Sequence, residues 1–531
     1  AILLAGCILA WAWLRPWIHK LSQSMLWSML FLATLPLLLR LALLVHCPVP
    51  IPTGSDGFGY VLLGDTLAHF RLANPPHALS RFFETPFILQ QPTYSSIYPL
   101  GQGIALAIGE LVFGIQWAGV LLSVSALCAL CYWMLRGWVA PPWAFLGGLL
   151  SVVEFGPLSY WTNSYWGGAV TACGGCLVFG SLPRLRETGH WRYGALLGAG
   201  FAISILTRPF ESIFLVIGAG LYFVIATPAK VRLLARAVPI ICLATLPGIV
   251  LTLAQDKAVT GSWTTLPYQL SRYEYGVPTT FTFQPNPTPH HKLSHQEKID
   301  YEAQTLVHGD GHDTPAGYWH RLVRRIRFYR FFLLAPLYIA FAVFLITAFR
   351  SRTALWVLAV LVLFALGTTF YPYFYPHYIA AEACLFLLAA IMGLERINAR
   401  YIVQAIVIVC AAHFLFWYGL HLTAGIDTAA SMNKYDSWDY IDFGDPEGRF
   451  AIAHRLATLP GKQLVFVHYG PRHMFHDWIH NAADIDRAHV VWARDLGASE
   501  NRELLQYFPR RTAWMFDPDV WPPSLKPYRS E

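Results

Sequence analysis

The sequence predicts a polytopic α-helical membrane protein of about 11–12 transmembrane helices, with interfacial helices on its outer face and a small C-terminal α/β domain. Three observations predict it. Of the 531 residues, 55% are hydrophobic and only 13% charged, whereas soluble domains carry about 25% charged residues. Mean hydropathy is +0.43, and apolar runs of about 20 residues, the length a spanning helix needs, recur along most of the chain. After residue 430 the sequence becomes charged, with turns and short apolar segments.

The expected spans are 25–46, 117–135, 142–159, 165–182, 193–206, 210–227, 234–254, 330–348, 353–370, 378–393 and 401–421, with 1–18 as a possible twelfth. The chain begins at Ala1 rather than Met, so residues 1–14 are expected to be the end of a longer helix; residues 1–24 form an extra N-terminal element before the 25–425 transmembrane domain. Short basic connections (Arg15–Lys20, Arg136, Arg184–Arg192, Lys230–Arg236, Arg350–Arg352, Arg396–Arg400) fall on one side if these helices alternate. Cytoplasmic loops carry such an excess of Lys and Arg. The net charge of +7 therefore speaks for orientation in a bilayer and gives no reason to expect a nucleic acid partner.

One apolar stretch breaks the alternation. "YPLGQGIALAIGELVFG" (98–114) is short and carries Gln102, Glu110 and four glycines. Leu100, Ile104, Ala107, Ile108 and Leu111 share one helical face, so an interfacial helix is expected and all of 47–116 forms a first outer loop. The same face then receives "SYWTNSYWGG" (159–168), "LTRPFES" (206–212), "YPYFYPHYIAAE" (371–382) and the long loop 255–329. Residues 430–531 are expected on that side too, as helices at 449–459 and 500–508 alternating with strands at 462–469, 488–496 and 510–517. They carry no G-x-G-x-x-G or P-loop sequence, and no nucleotide is assigned.

Several residues could carry chemistry. Asp56, in "SDGFGYVLLGDTLAHF" (55–70), stands where a carboxylate can cap a helix or act as a base. Asp65, nine residues on, is half a revolution away and is expected to pair with His69. Glu84 is a further acid in the outer loop, and Glu154 lies inside a span, where a carboxylate needs a partner or a wet cavity. Arg208, His377 and Glu382 sit at helix ends. "YWHRLVRRIRFYR" (318–330) sets five arginines, among them Arg324, Arg325 and Arg327, beside a span; they read as a solvated face or as a phosphate clamp. Cys128/Cys131 and Cys173/Cys176 are C-x-x-C pairs inside spans, where small residues at this spacing favour helix packing over a metal site.

"DTLAHFRLANPPH" (65–77), "FFETPFILQQPTYSSIYPLGQG" (82–103), "YWTNSYWGG" (160–168), "LTRPFE" (206–211) and "YPHYIA" (375–380) together resemble the GT-C integral-membrane glycosyltransferases. The branch they look most like holds protein O-mannosyltransferases and lipid A aminoarabinose transferases of bacteria. The resemblance covers about residues 25–425. It implies a sugar moved, with inversion, from a polyprenyl-phosphate donor to a lipid, glycan or protein acceptor on the periplasmic face of the bacterial inner membrane. Asp56 matches the family's general base. Arg208, His377, Arg324, Arg325 and Arg327 become candidates for the donor phosphate, and Glu84, Asn163, Tyr378 and Glu154 further site candidates. No cofactor is implied; membrane lipids and membrane-complex partners are expected. Two departures matter. The family's Asp-Glu is Asp56-Gly57 here, and Asn163 stands where an acid is common, so no essential metal is expected. The same departures favour the alternative of a catalytically inactive GT-C-fold scaffold or accessory subunit.

Overall fold

The structure is a computed structural model; it describes residues 6, 8, 10, 16–52, 54–227, 231–423, 448–473 and 477–529. All eleven expected spans contain helix: α1 (Met25–Ala42) comes first, followed by the loop helix α2 (Gly54–Ala68) and a two-stranded ribbon, β1 (Ile88–Leu89) against β2 (Ser95–Ser96). Then come α3 (Leu100–Phe113), α4 (Gln116–Leu135), α5 (Pro141–Phe155), the single turn α6 (Tyr160–Asn163), α7 (Ala169–Thr188), α8 (Trp191–Thr207), α9 (Pro209–Leu221) and α10 (Val231–Thr260). The long loop holds α11 (Pro267–Tyr275), α12 (His295–His308) and α13 (Pro315–Tyr329). The bundle closes with α14 (Leu337–Thr347), α15 (Arg352–Thr368), α16 (Ala383–Arg396) and α17 (Arg400–Thr423). The possible helix at 1–18 and the boundary at 425–430 fall largely outside the described residues.

Six of the described helices are each long and apolar enough to cross a membrane. The expected span 330–348 is not continuous: the chain bends by 119° between Phe332 and Leu337. Pro336 stands at the N-cap of α14, where its missing N–H and fixed φ start a helix but cannot continue one. Other helices are sheltered by neighbours. Along α7, Gly174, Gly175 and Gly180 admit α8, the 376–382 turn and α4 at backbone distance, as small residues do at intramembrane contacts. The C-x-x-C pairs belong to this packing, with Cys131 Sγ 3.7 Å from Cys176 Sγ.

α3 has 14 residues, so it is about 21 Å long against a hydrocarbon core of about 30 Å. One side of it packs on the protein. Gln102, Leu106 and Gly109 are buried, while Ile108, Leu111, Val112 and Phe113 are exposed. The glycine side wins the protein contact because a Cβ on Gly109 would stand 2.3 Å from the Gly119 nitrogen. The aliphatic side faces away from the protein.

The C-terminal part has the expected elements: α18 (Arg449–Thr458), β3 (Gln463–Val467), β4 (Val490–Arg494), α19 (Ala498–Tyr507) and β5 (Thr512–Asp517), with β6 (Ser524–Pro527) in addition. The sheet order is β4-β3-β5-β6, parallel except for β6. It is not a free-standing unit. Leu464, Phe466, Ala483, Ile485 and Val491 share one buried cluster with Leu62 of α2 and with Phe82, Phe83 and Tyr94 of the first loop.

Candidate active site

Gly54, with φ of 65°, turns the chain into α2 in a conformation that side-chain-bearing residues rarely adopt. The helix consequently starts two residues before Asp56, which lies in the first turn and is not its N-cap. A first-turn carboxylate still meets the positive end of the helix dipole. Its partner is the Tyr98 hydroxyl, which donates to Asp56 Oδ1. Burial pushes the Asp56 carboxyl above its ordinary value, while the Tyr98 hydrogen bond and the charge of Arg208 pull it back.

Tyr98 is held from several sides. Its ring stacks on Tyr60 at 4.1 Å and meets Tyr268 edge-on at 5.8 Å. Its carbonyl accepts from Gln255 Nε2 at 2.8 Å, and its N–H donates to Ser96 Oγ at 3.2 Å. Gly59 sits under the ring: a Cβ there would lie 2.7 Å from Tyr98 Cε2. Gly59→Ala is expected to push the hydroxyl off Asp56 at an overpacking cost of about 1–3 kcal/mol. Altered fluorescence or reactivity of Tyr98 alongside reduced activity would register this; an unmoved ring would reject it.

Arg208 occupies the break between α8 and α9, where Pro209 starts the next helix. Its guanidinium lies 4.7 Å over the Tyr378 ring, and its charge acts on Asp56, Tyr60, Glu211, Tyr268 and His377. His377 is buried, 4.9 Å from Tyr378 between ring centres. Its backbone N–H donates to Tyr160 Oη and its Nδ1 lies 3.0 Å from the same oxygen. The structure thus gathers Asp56, Arg208, His377 and Tyr378 in one cluster walled by Tyr60, Tyr98, Tyr268 and Tyr371.

The remaining candidates lie elsewhere. On α13 Arg321 pairs with Asp313 and donates to the Thr369 carbonyl at 3.2 Å, and Arg325 is buried: its guanidinium donates to the carbonyls of Tyr371 and Tyr373 and lies 4.9 Å over Phe374. Arg324 and Arg327 are exposed. Arg325 therefore braces the loop that carries His377 and Tyr378, without entering the cluster. Glu84 is 3.1 Å from His291 Nε2 and 3.9 Å from Arg494, joining the two loops to the C-terminal sheet. Glu154 is fully buried and accepts from the Leu334 N–H at 3.1 Å. Asn163 accepts from Arg40 Nε at 2.8 Å and donates to the Pro157 and Ser159 carbonyls. Both ends of its amide are committed to protein groups. Among the described residues no three His, Cys, Asp or Glu side chains form a group able to hold a metal ion.

Sequence reasoning missed the tyrosine wall, Glu211 and Arg40. Tyr98 opens "YPLGQG", Tyr371 opens "YPYFYPHYIAAE" and Glu211 ends "LTRPFE", so the segments were in view. Tyr and Trp are expected at any membrane interface, which hid these rings among ordinary ones.

Fold and cluster together define the class: a polytopic membrane protein with the GT-C fold, carrying an acid, an arginine and a tyrosine wall at one end of the bundle. Among solved structures it is similar to ArnT from Cupriavidus metallidurans in the apo state, with a TM-score of 0.52 and 13% identity over 92% of both chains. ArnT bound to undecaprenyl phosphate gives 0.51 and 12%, again over 92% of both. The archaeal oligosaccharyltransferase AglB from Archaeoglobus fulgidus, in complex with an inhibitory peptide and a dolichol-phosphate, gives 0.39 and 12% over 92% of this chain and 69% of that one, too low to carry weight. No protein-family model and no curated protein matches this sequence. At such identities the likeness is one of fold.

Proposed function

We propose that this protein is a membrane glycosyltransferase that moves a sugar from a polyprenyl-phosphate donor to an acceptor hydroxyl, with inversion. The observation that carries this is a tyrosine wall in which Asp56 is bound to Tyr98 and Arg208, whose charge reaches Asp56, lies over Tyr378, on a fold shared with a protein solved with undecaprenyl phosphate. In this reading Asp56 takes the proton of the acceptor hydroxyl, whose oxygen bonds to the anomeric carbon. The bond from that carbon to the phosphate oxygen breaks and its electron pair leaves with the lipid phosphate. Arg208 compensates the charge that develops there, with Tyr378 beneath its guanidinium. The tyrosine rings offer stacking faces to the sugar. The alternation of basic loops supports an active site on the periplasmic side of a bacterial inner membrane.

The test is a transfer assay in nanodiscs with a panel of polyprenyl-phosphate sugars, beside direct binding of undecaprenyl phosphate. Arg208→Gln removes a charge-assisted contact of about 1.5–3 kcal/mol, so affinity for the lipid phosphate is expected to fall about 10–150-fold. Unchanged affinity would take Arg208 out of the phosphate site. A wild-type protein that neither binds the lipid nor transfers any sugar would favour the scaffold reading instead.

A further inference from the structure

α2 has two faces, and only one of them belongs to the cluster. Asp56 and Tyr60 turn toward Tyr98, while Ser55, Phe58, Leu62 and Asp65, spaced three, four and three residues apart, form a second stripe along the helix. Every member of that stripe is held by the C-terminal domain, mostly by residues 477–485. Ser55 Oγ donates to Asp477 Oδ2. His480 stacks on Phe58 with ring centres 4.3 Å apart and planes 9° from parallel. Leu62 packs in the cluster that contains Ala483 and Ile485. Asp65 Oδ2 accepts from the Ala483 N–H at 2.6 Å. Arg449 of α18 ties the segment down, donating to the Asp477 carbonyl at 2.7 Å and lying over both Phe58 and Trp478.

We infer that segment 477–485 is a positioning element for Asp56, a clamp on the back of α2 that fixes the helix's rotation and axial register against Tyr98. The inference rests on the reading of Asp56 as the base. Its physical basis is geometric. A carboxylate in the first turn has no completed hydrogen-bonded turn before it, and helix ends fray unless something holds them. Here two hydrogen bonds, a ring stack and a buried leucine hold the face opposite the reacting one, so the Asp56 carboxylate meets Tyr98 without having to hold the helix itself. A shift of about 1 Å at such a group is enough to cost a large part of a rate. The C-terminal domain thereby enters the chemistry through α2, though none of its residues 477–485 is placed in the cluster.

The experiment uses the full chain in nanodiscs with the double variant Ser55→Ala/His480→Ala, the conservative Ser55→Thr, and Arg81→Ala. Arg81 pairs with Glu500 and Glu503 at the exposed edge of the same domain contact, so its loss reports on docking in general. Two quantities are read: kcat against KM for transfer, and the pH midpoint at which a carbodiimide labels Asp56, followed by mass spectrometry. The double variant is expected to lose about tenfold or more in kcat, with undecaprenyl phosphate affinity within about twofold of wild type. Its labelling midpoint should fall measurably as water reaches the loosened helix end and relieves the burial of Asp56. The groups facing that carboxyl are Tyr60, Tyr98, Arg208, Tyr268, Tyr371 and Tyr378, and none is altered. Ser55→Thr should restore kcat and midpoint, and Arg81→Ala should leave both unchanged. A double variant with wild-type kcat and midpoint overturns the clamp, as does one whose lipid affinity collapses in parallel. If the wild type transfers no sugar, the glycosyltransferase reading fails, while the labelling midpoint still decides whether the segment positions Asp56.

Discussion

Asp56→Asn is expected to insert, fold and bind undecaprenyl phosphate like the wild type, yet transfer sugar at least about a hundred times more slowly. Asparagine keeps the size of the side chain and an oxygen that can accept the Tyr98 hydrogen bond. It cannot take up a proton, and general-base catalysis is worth roughly 10²–10⁴-fold in rate. Stability adds an independent criterion. Burial raises the Asp56 carboxyl above its unfolded value, so in the window between the two values the folded state binds more protons and stability falls as pH rises. Removing the charge should leave thermal stability at neutral pH equal or higher, since asparagine serves a helix start about as well as aspartate. The same raised value places the acid limb of the pH–rate profile above the ordinary carboxylate range. Activity is expected above that limb and lost as pH falls through it, when Asp56 becomes protonated. Asp65→Asn is the matched control. Its amide oxygen can still accept from the Ala483 N–H, and most activity should survive. An Asp56→Asn protein that keeps its rate would remove the base from the proposal.

Gly175→Ala is expected to be strongly destabilising. A Cβ at that position would stand 1.8 Å from the Ala381 carbonyl oxygen and 2.6 Å from its carbon. These are backbone atoms of the 376–382 turn, and no side-chain rotation can move them aside. The turn must shift by more than an ångström or α7 must retreat, at a cost of about 1–3 kcal/mol or beyond. Because this turn carries His377 and Tyr378, undecaprenyl phosphate affinity should fall together with the unfolding temperature. Gly57→Ala provides the contrast: its Cβ would meet Pro52 at 3.4 Å, an ordinary contact, in the first turn of a helix. That variant should be neutral or more stable by up to about 1 kcal/mol. Equal unfolding temperatures for the two variants would contradict the packing described at α7.

Much of the fold was legible because lipid contact writes itself into the sequence as long apolar runs, and because the C-terminal strands and helices carry different periodicities. Failures came where a local feature outweighed the run. Pro336 broke 330–348, and Gly54 moved the start of α2 ahead of Asp56. The pattern of α3 left open which side packs on the protein, and its glycines decide it through a close backbone approach. The site was legible only through motifs that stand at helix ends, such as Arg208 and His377. What joins them is long-range: Tyr98 reaches Asp56 across 42 residues, and Arg40 reaches Asn163 across 123. Periodicity speaks of neighbours three or four residues away and is silent about such pairs. The arginines of α13 show the converse, a dense local signal whose inward members, Arg321 and Arg325, brace the backbone of residues 369–373.

The exposed aliphatic side of α3 has a consequence for the environment in which the protein works. Ile108, Leu111, Val112 and Phe113 turn outward, and in a bilayer such a face settles at the depth where acyl chains meet headgroups. The N-terminal end of that helix is Leu100, joined through Pro99 directly to Tyr98. Membrane thickness and acyl-chain order thereby become inputs to the hydrogen bond on Asp56. Each ångström of hydrophobic mismatch costs fractions of a kcal/mol, a scale small beside the stability of the fold yet comparable with that of a single hydroxyl contact.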